Sequence, residues 1–532
     1  MLLAFAGCAG KSEAPLFVDA AAQAGLEFMH EPGDRGKLYI PEIASGGVAL
    51  LDYDSDGDLD VFFPQSGFLG PPAIEPPVNA LFENQLEKGG LRFADATAGS
   101  GLETTGYSMG TAVGDYDGNG RPDLYITAFG SNFFFRNDSD GRFTDITATT
   151  DTDDPRWSSS AAFFDFDNDD DLDLFVSNYV SFSLSHNKKC RTATGEREYC
   201  APDSYESVPD RLFRNEAKGF QNISREAGLE RAYGAGLGVA VANFNGDSQL
   251  DVYVANDGKP NQLWIGDGNG FTERGLASGS AYNAEGMTEA SMGVTAGDFD
   301  GDGDDDLFMT HLRNETNTLY ENDGSANFVD ITQRTGVGTP GRRLTGFGTS
   351  WIDFDNDGLL DLFVANGAVI SVPGQQGPFP LREPNQLFRN IGNGFVDVSA
   401  DAGPDVTVEL VSRGAAFGDV DNDGDTDIVV VNANGPAQLL LNQIGNKASW
   451  IGIDLRPAGI PGYHARAAVA VGDKVLWRTS RRDGSYLSSS DPRILVGLGR
   501  HDGPVDVLVE WRNRAAEVWP GLSARSYHAL TP

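Results

Sequence analysis

The stretch Asp52-Tyr-Asp-Ser-Asp-Gly-Asp-Leu-Asp60 places oxygen-bearing side chains at alternate positions, turns on a glycine and ends on an acid. Oxygens at positions one, three and five of such a loop converge on one point. A main-chain carbonyl near seven adds another, and an acid at nine closes the shell. That is a cage for a hard cation, with Ca²⁺ as its natural occupant. Six relatives follow, beginning at Asp115, Asp165, Asn243, Asp298, Asp353 and Asp419. A single copy would weigh no more than an ordinary turn rich in Asp and Gly. Seven copies in one register are a repeated site.

The expected ligands are Asp52, Asp54, Asp56 and Asp60 in the first loop and Asp115, Asp117, Asn119 and Asp123 in the second. The third offers Asp165, Asp167, Asp169 and Asp173, and the fourth Asn243, Asn245, Asp247 and Asp251. Asp298, Asp300, Asp302 and Asp306 form the fifth, Asp353, Asp355, Asp357 and Asp361 the sixth, and Asp419, Asp421, Asp423 and Asp427 the seventh. Gly57, Gly120, Gly303, Gly358 and Gly424 at position six supply the left-handed backbone that wraps an ion. The third loop has Asp170 there, which still reaches that region. The fourth has Ser248 and only two carboxylates, so up to seven calcium sites are expected, the fourth of them weak.

An EF-hand would add flanking helices and a Glu at position twelve. Here apolar residues run straight into and out of each loop, as in Val48-Ala-Leu-Leu and Val61-Phe-Phe. The loops are therefore expected at hairpin tips. Each belongs to a larger unit. An aromatic-centred strand such as Phe93-Ala-Asp-Ala-Thr or Phe143-Thr-Asp-Ile-Thr is followed by a strand rich in Gly and Ala, the loop, an outgoing strand and a segment ending in Asn. Those Asn are Asn84, Asn137, Asn215, Asn322, Asn390 and Asn442, with Gly266 in the fourth unit. Seven units of about four short strands predict an all-β protein whose core is a seven-bladed β-propeller. The largest insertions are expected at 66–79, stiffened by Pro71-Pro72 and Pro76-Pro77, and at 178–210.

The chain of 532 residues carries a formal net charge of −39. That excludes nucleic acid and anionic membrane surfaces as electrostatic partners. Of the 78 acids, 31 lie in the seven loops, so metal binding should be coupled to folding. From residue 447 on the balance reverses, with 12 basic and 8 acidic side chains. The motif also stops, and strands such as Trp450-Ile-Gly-Ile-Asp-Leu and Val505-Asp-Val-Leu-Val-Glu-Trp replace it. The expected domains are thus an N-terminal segment (1–15), a propeller (16–446) and a small β-sandwich or barrel (447–532) able to lean on the acidic body.

Cys190 and Cys200, ten residues apart in the second insertion, read most simply as a loop-stapling disulfide of an oxidising compartment, although spacing leaves a reduced pair open. Cys8, after Ala6-Gly7, is a candidate for lipidation, the alternative being a plain apolar N-terminus. An extracytoplasmic location follows, secreted or held at the envelope by that lipid alone.

The repeats resemble the FG-GAP or VCBS calcium-binding repeats also found in integrin α-chain propellers. The tail, with Arg482-Asp-Gly-Ser-Tyr-Leu-Ser-Ser-Ser and Val496-Gly-Leu-Gly, resembles the ASPIC/UnbV domain. The combination is similar to bacterial relatives of the cartilage acidic protein family, which implies an extracytoplasmic calcium-binding protein. Tyr463-His-Ala-Arg-Ala-Ala-Val departs from that family's usual pattern.

Gly106-Tyr-Ser-Met-Gly110 matches a nucleophile-elbow pattern, but it aligns with Ala290-Ser-Met-Gly293 ahead of a calcium loop, so Ser108 is assigned to a blade strand. No catalytic residue is expected. The favoured function is a calcium-rigidified interaction or adhesion scaffold for a protein or glycan partner. The alternative is a carbohydrate-active protein, a lectin or calcium-assisted polysaccharide lyase. The 178–210 insertion, with Tyr179, Phe182, Tyr199 and Tyr205 and the basic Lys188, Lys189, Arg191 and Arg197, is either a partner-binding loop or a cover for the ring edge.

Overall fold

The computed structural model describes residues 14–532 apart from 71–75, 140, 193–194, 218, 373, 376–379 and 457–458. The expectations on Cys8 and on Pro71-Pro72 lie outside the described residues. Seven four-stranded sheets follow one another along the chain. Sheet I consists of Ala49–Leu51, Asp60–Phe63, Ala80–Asn84 and Phe93–Asp95. The first strands of sheets II to VII are Ser108–Gly114, Ser158–Phe164, Gly236–Ala242, Val294–Gly297, Gly346–Ile352 and Ser412–Gly418.

In every sheet the acidic loop joins the first two strands. The ninth-position Asp pairs with the residue just before the loop, as in Leu51 with Asp60 and Gly418 with Asp427. The loops therefore sit at hairpin tips, as the apolar flanks predict. The first strands are almost wholly buried, and each touches the first strands of its two neighbours, sheet VII touching sheet I.

The aromatic-centred strand ends a sheet rather than beginning a unit. Phe93–Asp95 is the outer strand of sheet I, and Phe17–Asp19 pairs antiparallel with Gln438–Asn442 to complete sheet VII. The repeat in sequence is thus offset by one strand from the repeat in space. The offset makes the last sheet depend on the start of the chain, through Phe17 opposite Asn442.

The terminal asparagines bind across the seams. Asn137 Nδ2 donates to the Tyr53 carbonyl of the preceding sheet's loop at 2.7 Å, and Asn442 Nδ2 to the Phe354 carbonyl at 2.7 Å. Asn215, Asn322 and Asn390 reach Tyr116, Phe244 and Phe299 in the same way. Asn84 reaches Val420, joining sheet I to sheet VII. Gly266 forgoes the bond at the seam between sheets III and IV, where a Cβ would stand 2.5 Å from the Leu250 carbonyl oxygen. There Arg512 substitutes from the tail, its Nη2 bonding Asn168 Oδ1 at 2.9 Å and the Ser248 carbonyl at 2.7 Å.

The tail forms a three-stranded sheet, Ile494–Gly499, Ser449–Asp454 and Tyr527–Ala529, and a four-stranded sheet, Lys474–Thr479, Arg466–Val471, Val505–Glu510 and Glu517–Leu522. Ile451, Val469, Val496 and Val507 are fully buried in the core that both share. Between Thr479 and Ile494 the chain leaves this core and runs among the first strands of all seven sheets.

Ser489 exchanges main-chain bonds with Val48 and Leu50, and the Leu487 carbonyl accepts from Thr111 N. Leu487 N donates to Ser160 Oγ, and Gly484 N to the Val239 carbonyl. Val294 N reaches the Ser485 carbonyl and Thr349 N reaches Ser485 Oγ, which itself donates to the Ala415 carbonyl at 2.7 Å. Tyr486 and Leu487 are fully buried, and Tyr486 OH donates to the Ala44 carbonyl at 2.6 Å.

This approach explains why the first strands are rich in glycine. A Cβ on Gly110 would lie 2.8 Å from Leu487 Cβ, and one on Gly47 would lie 2.1 Å from the Leu487 carbonyl oxygen. Gly110→Val is expected to cost about 1–3 kcal/mol by overpacking, and Leu487→Ala about 2–5 kcal/mol by cavity formation. Urea denaturation of each variant measures both.

Candidate metal centres

Each loop is shaped by its own side chains. The first-position carboxylate accepts main-chain N–H groups from positions five and six: Asp115 from Asn119 and Gly120 at 2.9 and 2.7 Å, Asp419 from Asp423 and Gly424 at 3.0 and 2.8 Å. Position six is left-handed at Gly57, Gly120, Asp170, Gly303, Gly358 and Gly424, as expected, including the aspartate. Ser248 is not left-handed, so the fourth loop departs here. Position four is left-handed in all seven loops, at Ser55, Gly118, Asn168, Gly246, Gly301, Asn356 and Asn422, a requirement the sequence reading missed. Its signal was present, since Gly and Asn are the residues that tolerate this backbone.

The ninth-position Asp is pinned through both oxygens. Asp60 accepts Tyr53 N at 3.0 Å and Asn84 N at 2.8 Å, and Asp123 accepts Tyr116 N at 3.0 Å and Asn137 N at 2.7 Å. The same pair of bonds recurs at Asp173, Asp251, Asp306, Asp361 and Asp427. This residue therefore ties the loop to the end of the third strand.

Carboxylate oxygens of Asp52, Asp54 and Asp60 lie within 4.8 Å of one another, as do those of Asp115, Asp117 and Asp123, of Asp165, Asp167 and Asp173, and of Asp298, Asp300 and Asp302. Asp52 Oδ1, Asp167 Oδ1, Asp355 Oδ1 and Asp421 Oδ1 are buried without a hydrogen-bond partner. A buried, unpaired anionic oxygen is costly, so these atoms fit a hard divalent cation. Burial, reinforced by neighbouring carboxylates, pushes the Asp123 pKa up to about 8 and that of Asp306 up to about 9, despite the N–H groups that favour their ionised forms.

In the fourth loop the Asn245 amide donates to Asp247 Oδ2 at 2.8 Å and the Asn243 amide to the Asp247 carbonyl at 2.7 Å, so part of the oxygen set is satisfied internally.

The tail covers the loops. Arg456 pairs with Asp52 at 3.3 Å, Asn513 Nδ2 donates to Asp165 Oδ2 at 2.9 Å, and Tyr527 OH donates to Asp419 Oδ2 at 2.7 Å. Gly497 N meets Asp353 Oδ2 at 3.2 Å, and Asp115 N donates to Tyr463 OH at 2.9 Å. The charge reversal noted in the sequence thus takes the form of specific contacts on the rims of the acidic loops.

Cys190 and Cys200 are disulfide-bonded. Tyr179 and Phe182 of the same insertion are buried in one cluster with Tyr107 and Trp157, at the strand ends opposite the acidic loops. Tyr199 OH bonds Glu42 Oε2 at 3.1 Å, where burial raises the Glu42 pKa to about 8. Much of the insertion's aromatic surface therefore packs inward, while Lys189 and Arg191 stay exposed. Ser108 is fully buried on the first strand of sheet II, as its alignment with a blade strand predicts.

Residues 115–176, 243–309 and 298–364 match the FG-GAP-like repeat, and residues 458–532 match ASPIC and UnbV. The chain is thus an FG-GAP-repeat protein with a C-terminal ASPIC and UnbV domain. It is similar to cartilage acidic protein 1 of Mus musculus, 25% identical over 502 residues, covering 87% of this chain and 70% of the relative. The Homo sapiens protein of the same name is 25% identical over 505 residues, covering 87% of this chain and 68% of the relative. Among solved structures, BBS1N in complex with ARL6DN aligns with a TM-score of 0.42 at 9% identity, covering 81% of this chain and 98% of that one.

The raised carboxylates set the pH response of metal-free protein. Unfolded aspartates ionise near pH ~3.9. Asp123 and Asp306 hold their protons to about 8 and about 9. The folded state therefore binds more protons across that window, and stability is lost as pH rises through it. Metal-free protein is expected to melt at a lower temperature at alkaline pH than at mildly acid pH. Calcium, which competes with those protons, should flatten or reverse the trend in the same thermal scans.

Proposed function

We propose that this chain is an extracytoplasmic, calcium-rigidified seven-bladed β-propeller, closed by its N-terminal strand, plugged by a small C-terminal β-sandwich, and acting as an interaction scaffold. The observation that carries the reading is the set of buried, partnerless carboxylate oxygens found in four of the seven loops, those of Asp52, Asp167, Asp355 and Asp421. An ion held there would lie under Arg456, Asn513 and Tyr527, which suits a structural role better than contact with a substrate. Calcium would neutralise carboxylates that otherwise repel, and would fix the hairpin tips on which the tail rests. The cyclic order of contacts between first strands and the asparagine bond from sheet I to sheet VII support a closed ring. The disulfide supports an oxidising compartment. A rigid ring of this kind offers its outer strands and the disulfide-bonded insertion to a protein or glycan partner.

Chelation tests the calcium reading. A ligand at 100 times its Kd adds about 2.7 kcal/mol per independent site, so several sites would govern the net stability. Adding EGTA is expected to lower the thermal midpoint strongly, and restoring calcium to recover it. An unchanged midpoint contradicts the proposal. For the scaffold reading, Cys190→Ser with Cys200→Ser should weaken binding of a partner identified by cross-linking to the insertion while leaving calcium binding intact.

A further inference from the structure

The second insertion carries a two-stranded ribbon, Cys190–Arg191 antiparallel to Arg197–Glu198, with Cys190 opposite Glu198 and Arg191 opposite Arg197. Thr192 N donates to the Glu196 carbonyl at 2.9 Å and takes the ribbon one pair further. Side chains alternate between the two faces of a strand, and directly opposed residues share a face. One face therefore holds Cys190, Glu196 and Glu198. The other holds Arg191 and Arg197, and Lys189 follows the same alternation. Acid and base are sorted onto opposite faces, and the disulfide to Cys200 leaves from the acidic one.

Like charges set directly across a ribbon destabilise it, and a guanidinium does not lose its proton to relieve the repulsion. A ribbon of so few pairs has little strength of its own. The Cys190–Cys200 bond closes it covalently instead.

The protein does not neutralise the basic face. In a chain with 78 acids, no carboxylate among the described residues pairs with Lys189, Arg191 or Arg197. Neighbouring cations are used internally: Lys188 Nζ bonds the Ser204 carbonyl, and Lys259 pairs with Asp203. Arg191 and Arg197 each spend only Nη1, on the carbonyls of Gly195 and Cys190. Nε and Nη2 of both, and the Lys189 ammonium, have no acceptor among the described residues. Lys189 and Arg191 are exposed, and Arg197 is half-buried.

We propose, building on the partner-facing reading of the insertion, that this face of the ribbon binds the carboxylate or sulfate groups of an acidic polysaccharide, with Arg191 and Arg197 bracketing one group and Lys189 adding a third positive contact. A protein partner calls for aromatic or apolar anchors within an interface of about 800 Å² a side. The insertion's Tyr179 and Phe182 are buried instead, and the ribbon's outer face presents charge. Such a face suits a chain that offers acid groups in succession, each able to accept the planar fork of a guanidinium. The net charge of −39 weighs against extended anionic surfaces such as duplexes and bilayers. At physiological salt its field is screened within about 8 Å, and a flexible glycan can meet the ribbon alone.

The test is titration calorimetry of the full, calcium-loaded chain at fixed free calcium, with dextran sulfate, carboxymethyl-dextran, neutral dextran and poly-L-glutamate. The two acidic dextrans distinguish sulfate from carboxylate. At least one is expected to bind saturably, more weakly as salt rises, and neutral dextran to give no saturable heat. Arg191→Gln with Arg197→Gln should weaken binding about tenfold or more, and Arg191→Lys with Arg197→Lys, which keeps the charge but not the fork, should fall between that variant and the wild type. Lys189→Gln removes no internal bond and should weaken binding about two- to fivefold, a readout that holds even where the arginine variants disturb the ribbon. Saturable heat from neither acidic dextran would overturn the proposal, as would binding unchanged in all three variants. Tighter binding of poly-L-glutamate than of either dextran would overturn it in favour of an acidic peptide. The scaffold reading survives each of these results, because it is decided by the cross-linked partner and the Cys190→Ser, Cys200→Ser variant.

Discussion

One aspartate in each repeat, at the ninth position of the loop, accepts a main-chain N–H from the loop's second residue and another from the end of the third strand, as Asp60 does from Tyr53 and Asn84. These two bonds fix where the hairpin tip lies relative to its own sheet. The residue that supplies the second N–H is, in six repeats, the asparagine whose side chain crosses to the preceding sheet. A single carboxylate therefore orients the loop and sets up the seam. The cost is charge: the same carboxylate sits buried beside others, and burial pushes its pKa upward in every loop. Without added positive charge, the stability of such a fold is lost as pH rises through these raised values.

Positive charge reaches the loops from the tail. The tail contributes arginines and neutral donors at the rims, with Arg456 on Asp52 and Arg493 pairing Asp491 beside Asp419. A divalent ion would satisfy the inward oxygens that no side chain reaches. The fourth loop separates the two contributions. It has fewer acids, its amides bond internally, its terminal asparagine is replaced by Gly266, and Arg512 bridges the seam instead.

Much of this was legible from the residues. Seven registers of alternating Asp around a Gly fixed the hairpins, and the left-handed backbone at Gly57, Gly424 and even Asp170 follows directly. What escaped the reading depends on contacts distant in the chain. Asn137 and its counterparts are conspicuous in sequence, yet their partners lie up to 336 residues away. The segment from Arg482 to Ser490 is short, polar and without periodicity, so nothing local marks it as the stretch that bonds the first strands of seven sheets. Glycines such as Gly110 were visible as a small-residue strand, but the crowding by Leu487 that requires them comes from another domain. The strand Phe17–Asp19 looked like the start of a unit because chain order gives no hint that it completes the last sheet.

The central claim is that the repeated loops are cation cages that differ in strength according to their oxygen sets. The most direct measurement is an anomalous difference map from crystals of the calcium-loaded protein, collected at a wavelength where calcium scatters anomalously. The account gives peaks in the loops that begin at Asp52, Asp115, Asp165, Asp298, Asp353 and Asp419, and a weak peak or none in the loop that begins at Asn243. Density in one loop or in none would contradict it, as would a peak in the fourth loop stronger than those in the others.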